Sequence, residues 1–190
     1  MFERYTEKAK RSIFFARYEA SVFGSPYIEA EHLLLGIMRE DRVLFARVLP
    51  KPGEVMAMSE QLRASLKKND QISTSVDLPL TELAKRSLAY GAEEAERLAH
   101  KHIDTAHLLL GLLRVESSLS EFLRDFGLEL DAVRRAIAAS TSSAAEALIA
   151  SMASARGLQN RFASVAQSLT PDVEPAPVFK LNHSPQADTK

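Results

Sequence analysis

The sequence contains no cysteine, which excludes disulfide frameworks, thiolate metal sites and cysteine nucleophiles. That lack is compatible with a reducing compartment, and a cytoplasmic location is expected. Surplus basic charge is also missing: 24 Lys and Arg stand against 25 Asp and Glu, for a formal net charge of −1. General binding to nucleic acid or anionic membrane needs a basic excess, so neither is expected, and helix-turn-helix DNA binding is disfavoured on the same ground. No stretch approaches the roughly 18 uninterrupted apolar residues of a membrane helix. The opening Met-Phe-Glu-Arg-Tyr-Thr lacks the apolar core of a signal peptide. Proline is absent from residues 80 to 170, although the chain holds eight, four of them in its last 20 residues. Proline costs about 3 kcal/mol inside a helix, so this gap favours helix. With 46% apolar residues in a chain of 190, there is material for a core, and a soluble, mostly helical protein is expected.

What the sequence does have is an internal duplication. At an offset of 75, residues 6–39 match residues 81–114 with 15 identities and no gap. Thr6-Glu7 falls on Thr81-Glu82, Ala9-Lys10-Arg11-Ser12 on Ala84-Lys85-Arg86-Ser87, and Glu19-Ala20 on Glu94-Ala95. His32-Leu33-Leu34-Leu35-Gly36 falls on His107-Leu108-Leu109-Leu110-Gly111. Apolar residues repeat too. Ala9, Ile13, Ala16, Ala20 and Phe23, like Ala84, Leu88, Gly91, Ala95 and Leu98, follow steps of 4, 3, 4 and 3. That spacing is one face of a helix, and its small residues let neighbouring helices approach closely. Thr6 and Thr81 stand where an N-cap hydroxyl satisfies a free N–H of the first turn.

Further helices are expected at Glu31 to Arg39 and Ala106 to Val115, then at Val43 to Leu49 and Leu119 to Phe126. A fourth follows each glycine, marked by Val55, Met58, Leu62 and Leu66 in one copy and Leu130, Val133 and Ile137 in the other. The fold class expected is all-α, two pseudo-symmetric four-helix repeats packed together, with an extra C-terminal helix. Repeat 1 covers 1–68, a linker 69–79, repeat 2 80–139, an Ala/Ser-rich helical stretch 140–170, and a disordered, Pro-rich tail 171–190. One half alone is small for a core, so the two halves are expected to bury apolar faces against each other.

Two Thr-initiated helices, each with a Glu-Ala pair and a following His-Leu-Leu-Leu-Gly-(Ile/Leu)-(Met/Leu)-Arg motif, resemble the N-terminal double Clp repeat domain of Clp ATPases, nearest the ClpC and ClpA type. The resemblance covers residues 1 to 139. It implies a non-catalytic, cofactor-free protein-binding module that recruits substrates or adaptors for a Clp ATPase and protease. The seven glycines begin no Gly-x-x-x-x-Gly-Lys-(Ser/Thr) loop, so these residues are not the ATPase motor. The tail points to a free-standing protein over an excised fragment. The alternative is a free-standing dimeric scaffold that reuses the fold without Clp substrate binding.

The ClpC-type family recognises phosphorylated arginine, and the resemblance implies a pocket at Thr6 with Glu31 and its counterpart at Thr81 with Ala106. Free N–H donors at a helix start favour phosphate, and a carboxylate at Glu31 suits the guanidinium. Ala106 lacks that carboxylate. The plainer reading makes the threonines caps and Glu31 a first-turn dipole partner. His32 and His107 read as packed structural histidines. No metal site is expected, although His100, His102 and His107 cluster in sequence. Glu93, Glu94 and Glu31 read as surface charges, which leaves a small hydrolase without an oriented base. Phe14, Tyr18 and Val22 form a separate ridge at i, i+4 and i+8, a candidate apolar docking surface whose counterparts are Ala89, Glu93 and Arg97. Leu148, Met152, Ala155, Phe162, Val165 and Leu169 approximate a heptad, so a helix over 144–169 is expected to cover that ridge or to pair a homodimer.

Overall fold

The computed structural model describes residues 3–140 and 151. Eight α-helices run through 3–140: α1 Glu7–Phe23, α2 Ala30–Glu40, α3 Arg42–Val48, α4 Val55–Ser65, α5 Glu82–Arg97, α6 Thr105–Arg114, α7 Ser118–Asp125 and α8 over 130–140. A short 3-10 turn, Pro52–Glu54, leads into α4. Among the described residues there is no β-strand, only two isolated bridges. The all-α class and the two four-helix repeats are therefore as expected, with α1–α4 matched by α5–α8. The helix expected over 144–169, its docking on Phe14, and the tail 171–190 lie outside the described residues, Ser151 apart.

Each repeat is started by its threonine. Thr6 and Thr81 adopt nearly identical extended conformations, φ −65° with ψ 161° and 160°, and their hydroxyls accept from the N–H of Ala9 and Ala84. The small-residue stripe of α1 then lets α2 settle against it, and α5 holds α6 in the same way. Ala9, Ala16, Ala20, Ala84 and Ala95 are all fully enclosed. The approach is closest at Gly36 and Gly111. A methyl group there would run into the backbone carbonyl of Ser12 or of Ser87, which is why the His-Leu-Leu-Leu motif ends in glycine in both copies.

Helices α2 and α6 sit in the middle of the molecule and touch each other. Leu33, Leu34, Leu35, Ile37 and Met38 are buried on one, and Leu108, Leu109, Leu110, Leu112 and Leu113 on the other. Each enclosed leucine contributes about 2 kcal/mol of apolar transfer free energy. A run apolar on every side fits a helix packed on all sides, not an amphipathic surface helix.

The repeats are tied together by a reciprocal exchange. Tyr5, just before α1, bridges Ile103, just before α6, while Leu80, just before α5, bridges Ile28, just before α2. Four backbone hydrogen bonds make this exchange: Thr6 N–H to Ile103 O at 2.9 Å, Ile103 N–H to Arg4 O at 2.7 Å, Thr81 N–H to Ile28 O at 3.0 Å and Ile28 N–H to Pro79 O at 2.8 Å. Inside the interface Thr105 donates its hydroxyl to Asp41 at 2.7 Å, and the same carboxylate caps α3 at Leu44. The stretch between the repeats is docked on α1. Asn69 N–H reaches Phe23 O at 2.9 Å, Ile72 N–H reaches Ser21 O at 3.1 Å, and Arg17 donates to the carbonyls of Thr74 and Val76.

Candidate functional site

The exchange of bridges decides where the predicted site residues go. The expected pairing of Thr6 with Glu31 and of Thr81 with Ala106 is corrected by the structure, which crosses them. The Thr6 hydroxyl donates to Asp104 at 2.7 Å, in the loop before α6, and Thr6 shares a cleft with Ala106. Thr81 stands beside Ile28, in the loop before α2, with its N–H and hydroxyl both directed at the Ile28 carbonyl. The physical reason is that the segment before each first helix pairs with the other repeat's loop, so sequence neighbours are not site neighbours.

Glu31 lies in a cleft of about 510 Å³ with Glu29, Lys67, Ser65 and Ser118, and with an apolar floor of Leu62, Leu66, Leu119 and Phe122. Burial, followed by the charge of Glu31, raises the Glu29 carboxyl above its ordinary range. The cleft at Thr6, about 430 Å³, is lined instead by Arg47, His100, Lys101, His102 and Asp104. One cleft thus presents two carboxylates and a lysine, the other one carboxylate among basic side chains.

His32 and His107 act at the helix starts. Nδ1 of each accepts the backbone N–H three residues earlier, of Glu29 at 3.0 Å and of Asp104 at 2.8 Å. An accepting Nδ1 puts the ring proton on Nε2. In His107 that proton points at Nδ1 of His100, 2.7 Å away, whereas Nε2 of His32 is buried with no hydrogen-bond partner among the described residues. Burial pushes both rings down to about pKa 4, helped in His107 by the charge of His100. They are neutral capping groups at pH 7. Among the described residues, no three His, Cys, Asp or Glu side chains are placed to hold a metal ion.

The reading of Glu94 as a surface charge is overturned. Glu94 is 0% exposed and its counterpart Glu19 is 1% exposed. Arg63 grips Glu19 through two hydrogen bonds of 2.7 and 2.8 Å, and Arg134 grips Glu94 through two of 2.8 and 3.0 Å. Burial alone would raise the Glu94 carboxyl, but the hydrogen bonds and charge of Arg134, with Arg97 and Arg114, outweigh it and hold it below the ordinary value. These clamps join the first helix of each repeat to its fourth. The Glu-Ala pair repeated in both copies was the available signal. Its partner was hidden, because Arg134 aligns with Ser59 and Arg63 stands one turn later in α4.

The ridge on α1 is solvent-facing. Phe14 is 65% and Tyr18 40% exposed, with Val22 half-buried. The Arg39 guanidinium lies 4.5 Å from the ring centre of Phe15 and 4.9 Å from that of Tyr18. Arg39 also borders a cleft of about 550 Å³ between α2, α3 and α4, with Leu35, Met38, Arg42, Val55 and Met56 on its walls.

This architecture, an exchanged pair of capped four-helix repeats, defines a class of protein. The profile of the Clp repeat (R) N-terminal domain matches residues 4–126 and 79–169, and the chain belongs to that family. Its relatives are the Clp ATPase subunits. A ClpA homologue of Guillardia theta is 36% identical over 135 residues, covering 70% of this chain and 16% of the relative. The chloroplastic chaperone ClpC of Pisum sativum is 32% identical over 155 residues, covering 81% of this chain and 17% of the relative. The chain therefore spans about a sixth of the length of these relatives. Among solved structures, the N-terminal domain of Arabidopsis thaliana ClpD superposes with a TM-score of 0.56 at 25% identity, over 75% of this chain and 97% of that one. The Candida albicans Hsp104 N-terminal domain shares the fold with a TM-score of 0.57 at 16% identity, over 70% and 89%. Among the described residues no helix is long and apolar enough to cross a membrane.

Proposed function

We propose that this chain is a non-catalytic recruitment module that captures substrate or adaptor proteins for an ATP-dependent Clp unfoldase. One observation carries the reading: the region matching an isolated Clp N-terminal domain, 97% of the ClpD one, keeps that fold and carries open clefts lined by charged and apolar side chains. Such clefts suit protein segments. The core histidines and glutamates use their polar atoms in capping the second helices and clamping the fourth, a structural employment that the recruitment reading accommodates. Binding of reduced, carboxymethylated lactalbumin, a permanently unfolded probe, tests the reading. Saturable binding supports it; no binding, together with no effect on delivery to a Clp ATPase, removes it.

A finer reading concerns phosphorylated arginine. The Glu31 cleft offers carboxylates for a guanidinium and Lys67 for the phosphate, and Thr81 follows the isolated Ile28–Leu80 bridge just before α2. At the Thr6 cleft, Ala106 removes the carboxylate and Asp104 occupies the cap hydroxyl, so that side does not take the ligand. Titration with a phosphoarginine peptide is expected to show one site, weakened at least tenfold by Glu31→Ala. Equal affinity for the unphosphorylated peptide removes this pocket and leaves recruitment standing.

A further inference from the structure

The two repeats dispose of their arginines differently. In repeat 2 every arginine near the clamp is neutralised from within. Arg114 pairs with Glu93 at 2.7 Å and lies 3.5 Å from Glu94, and Arg134 bonds Glu94 and Asp131. In repeat 1 the counterparts of Glu93 and Asp131 are Tyr18 and Met56, so both neutralising carboxylates are replaced by large apolar side chains. Arg39 is left over the aromatic rings, with Glu19 no nearer than 3.7 Å, and that glutamate is already held by Arg63 in a bidentate grip. Arg42 is exposed and has no carboxylate partner among the described residues.

The same substitutions turn this face apolar as well as basic. Phe14, Tyr18, Val43 and Met56 are all exposed, and Arg39 links the α1 ridge to the 550 Å³ cleft. Among the described residues, three arginines and no carboxylate line that cleft, over Leu35, Met38 and Val55. Methionine side chains adapt to varied apolar shapes, and arginines on aromatic rings present their donors in a fixed plane.

We propose that this face of repeat 1, from Phe14 and Tyr18 across Arg39 and Arg42 to Met56, docks an acidic amphipathic segment of a partner protein. The apolar side chains of that segment fill the cleft, and its carboxylates meet Arg39 and Arg42. The proposal deepens the recruitment reading and rests on it, since it names the surface and the chemistry of what is recruited. It uses a surface separate from the Glu31 cleft. Repeat 2, with Ala89, Glu93 and Asp131 in place of Phe14, Tyr18 and Met56, has no such face.

Fluorescence anisotropy on the full chain tests this with a labelled amphipathic Glu/Leu/Ala peptide and its Lys-for-Glu counterpart. The Glu peptide is expected to bind, at least tenfold more tightly than the Lys peptide, with an affinity that falls as salt rises. Arg42→Glu, at an exposed unpaired position, is expected to weaken binding at least tenfold. Tyr18→Glu and Met56→Asp, which copy repeat 2, are expected to do the same. Arg47→Glu, exposed and outside this face, is expected to leave binding unchanged, and circular dichroism checks that each variant is folded. Equal binding of the Glu and Lys peptides, or full binding by Arg42→Glu, overturns the proposal. A dimer of the chain that Arg42→Glu dissolves also overturns it, by assigning the face to a second copy. If the Glu peptide fails while carboxymethylated lactalbumin still binds, the docking face falls and recruitment stands. If both fail and delivery to a Clp ATPase is also unaffected, both fall.

Discussion

Repeat 1 and repeat 2 have the same skeleton and opposite surfaces. Both begin at a threonine cap, both close a histidine over the start of the second helix, and both lock a buried glutamate with an arginine from the fourth helix. They part at positions that face solvent, where Phe14, Tyr18 and Met56 stand against Ala89, Glu93 and Asp131. Duplication preserves what the fold needs and leaves exposed positions free to diverge. A surface that one repeat neutralises and the other leaves apolar and basic is therefore a surface with a separate use.

The largest expected effect comes from breaking what the repeats share. Glu94→Ala leaves Arg134 with only Asp131, in a site where its side chain is 19% exposed, and is expected to cost about 4 kcal/mol in urea unfolding. Glu19→Ala is expected to cost less, because Arg63 is 41% exposed and water replaces part of what it loses. Equal losses would erase this distinction. Next in size, Gly36→Ala and Gly111→Ala each push a methyl into a backbone carbonyl that has no side-chain freedom to yield. Each is expected to lower stability by about 3 kcal/mol. A cost below that of an ordinary surface change would show that α1 and α2 separate easily.

Acid is expected to act on both repeats together. His32 and His107 have folded pKa values near 4, below the ordinary 6.5, so between pH 6.5 and 4 the unfolded chain binds protons that the folded chain refuses. Stability from these groups is complete above pH 6.5 and falls as pH drops, by about 1 kcal/mol per pH unit for each histidine. Chemical unfolding across that range measures the slope, and His32→Gln and His107→Gln are each expected to flatten it. The smallest effect sharpens a difference at one turn. Gly24 and its counterpart Ala99 both end their helices with left-handed backbone, φ 66° and 56°. Alanine is strained there, so Ala99→Gly is expected to raise stability by about 1 kcal/mol, read as a higher Tm.

Much of the local structure was legible in the sequence. The stripes of small residues gave α1 and α5, the hydroxyls at Thr6 and Thr81 gave their first turns, and the doubled motif gave the number of helices in each repeat. Helix ends came within a residue or two, as at α2, expected over Glu31 to Arg39 and found at Ala30–Glu40. The candidate site was less legible. Thr6 and Glu31 align with Thr81 and Ala106, but alignment carries no information on which repeat's loop a cap will face. Glu94 looked like its exposed neighbour Glu93, since burial of a carboxylate depends on an arginine 40 residues away.

By itself the sequence determined the helices, their threonine caps and the apolar spacing that both halves repeat. All of these rest on residues a few positions apart, where backbone geometry converts spacing directly into proximity. Tertiary structure alone decided the crossing of Thr6 to Asp104 and of Thr81 to Ile28, the burial of Glu19 and Glu94, and the joining of the Phe14 ridge to the cleft through Arg39. Those contacts span tens of residues: packing α2 against α6 brings each repeat's loop to the other's first helix, and folding within each repeat brings the fourth helix's arginine to the buried glutamate and Arg39 to the α1 ridge.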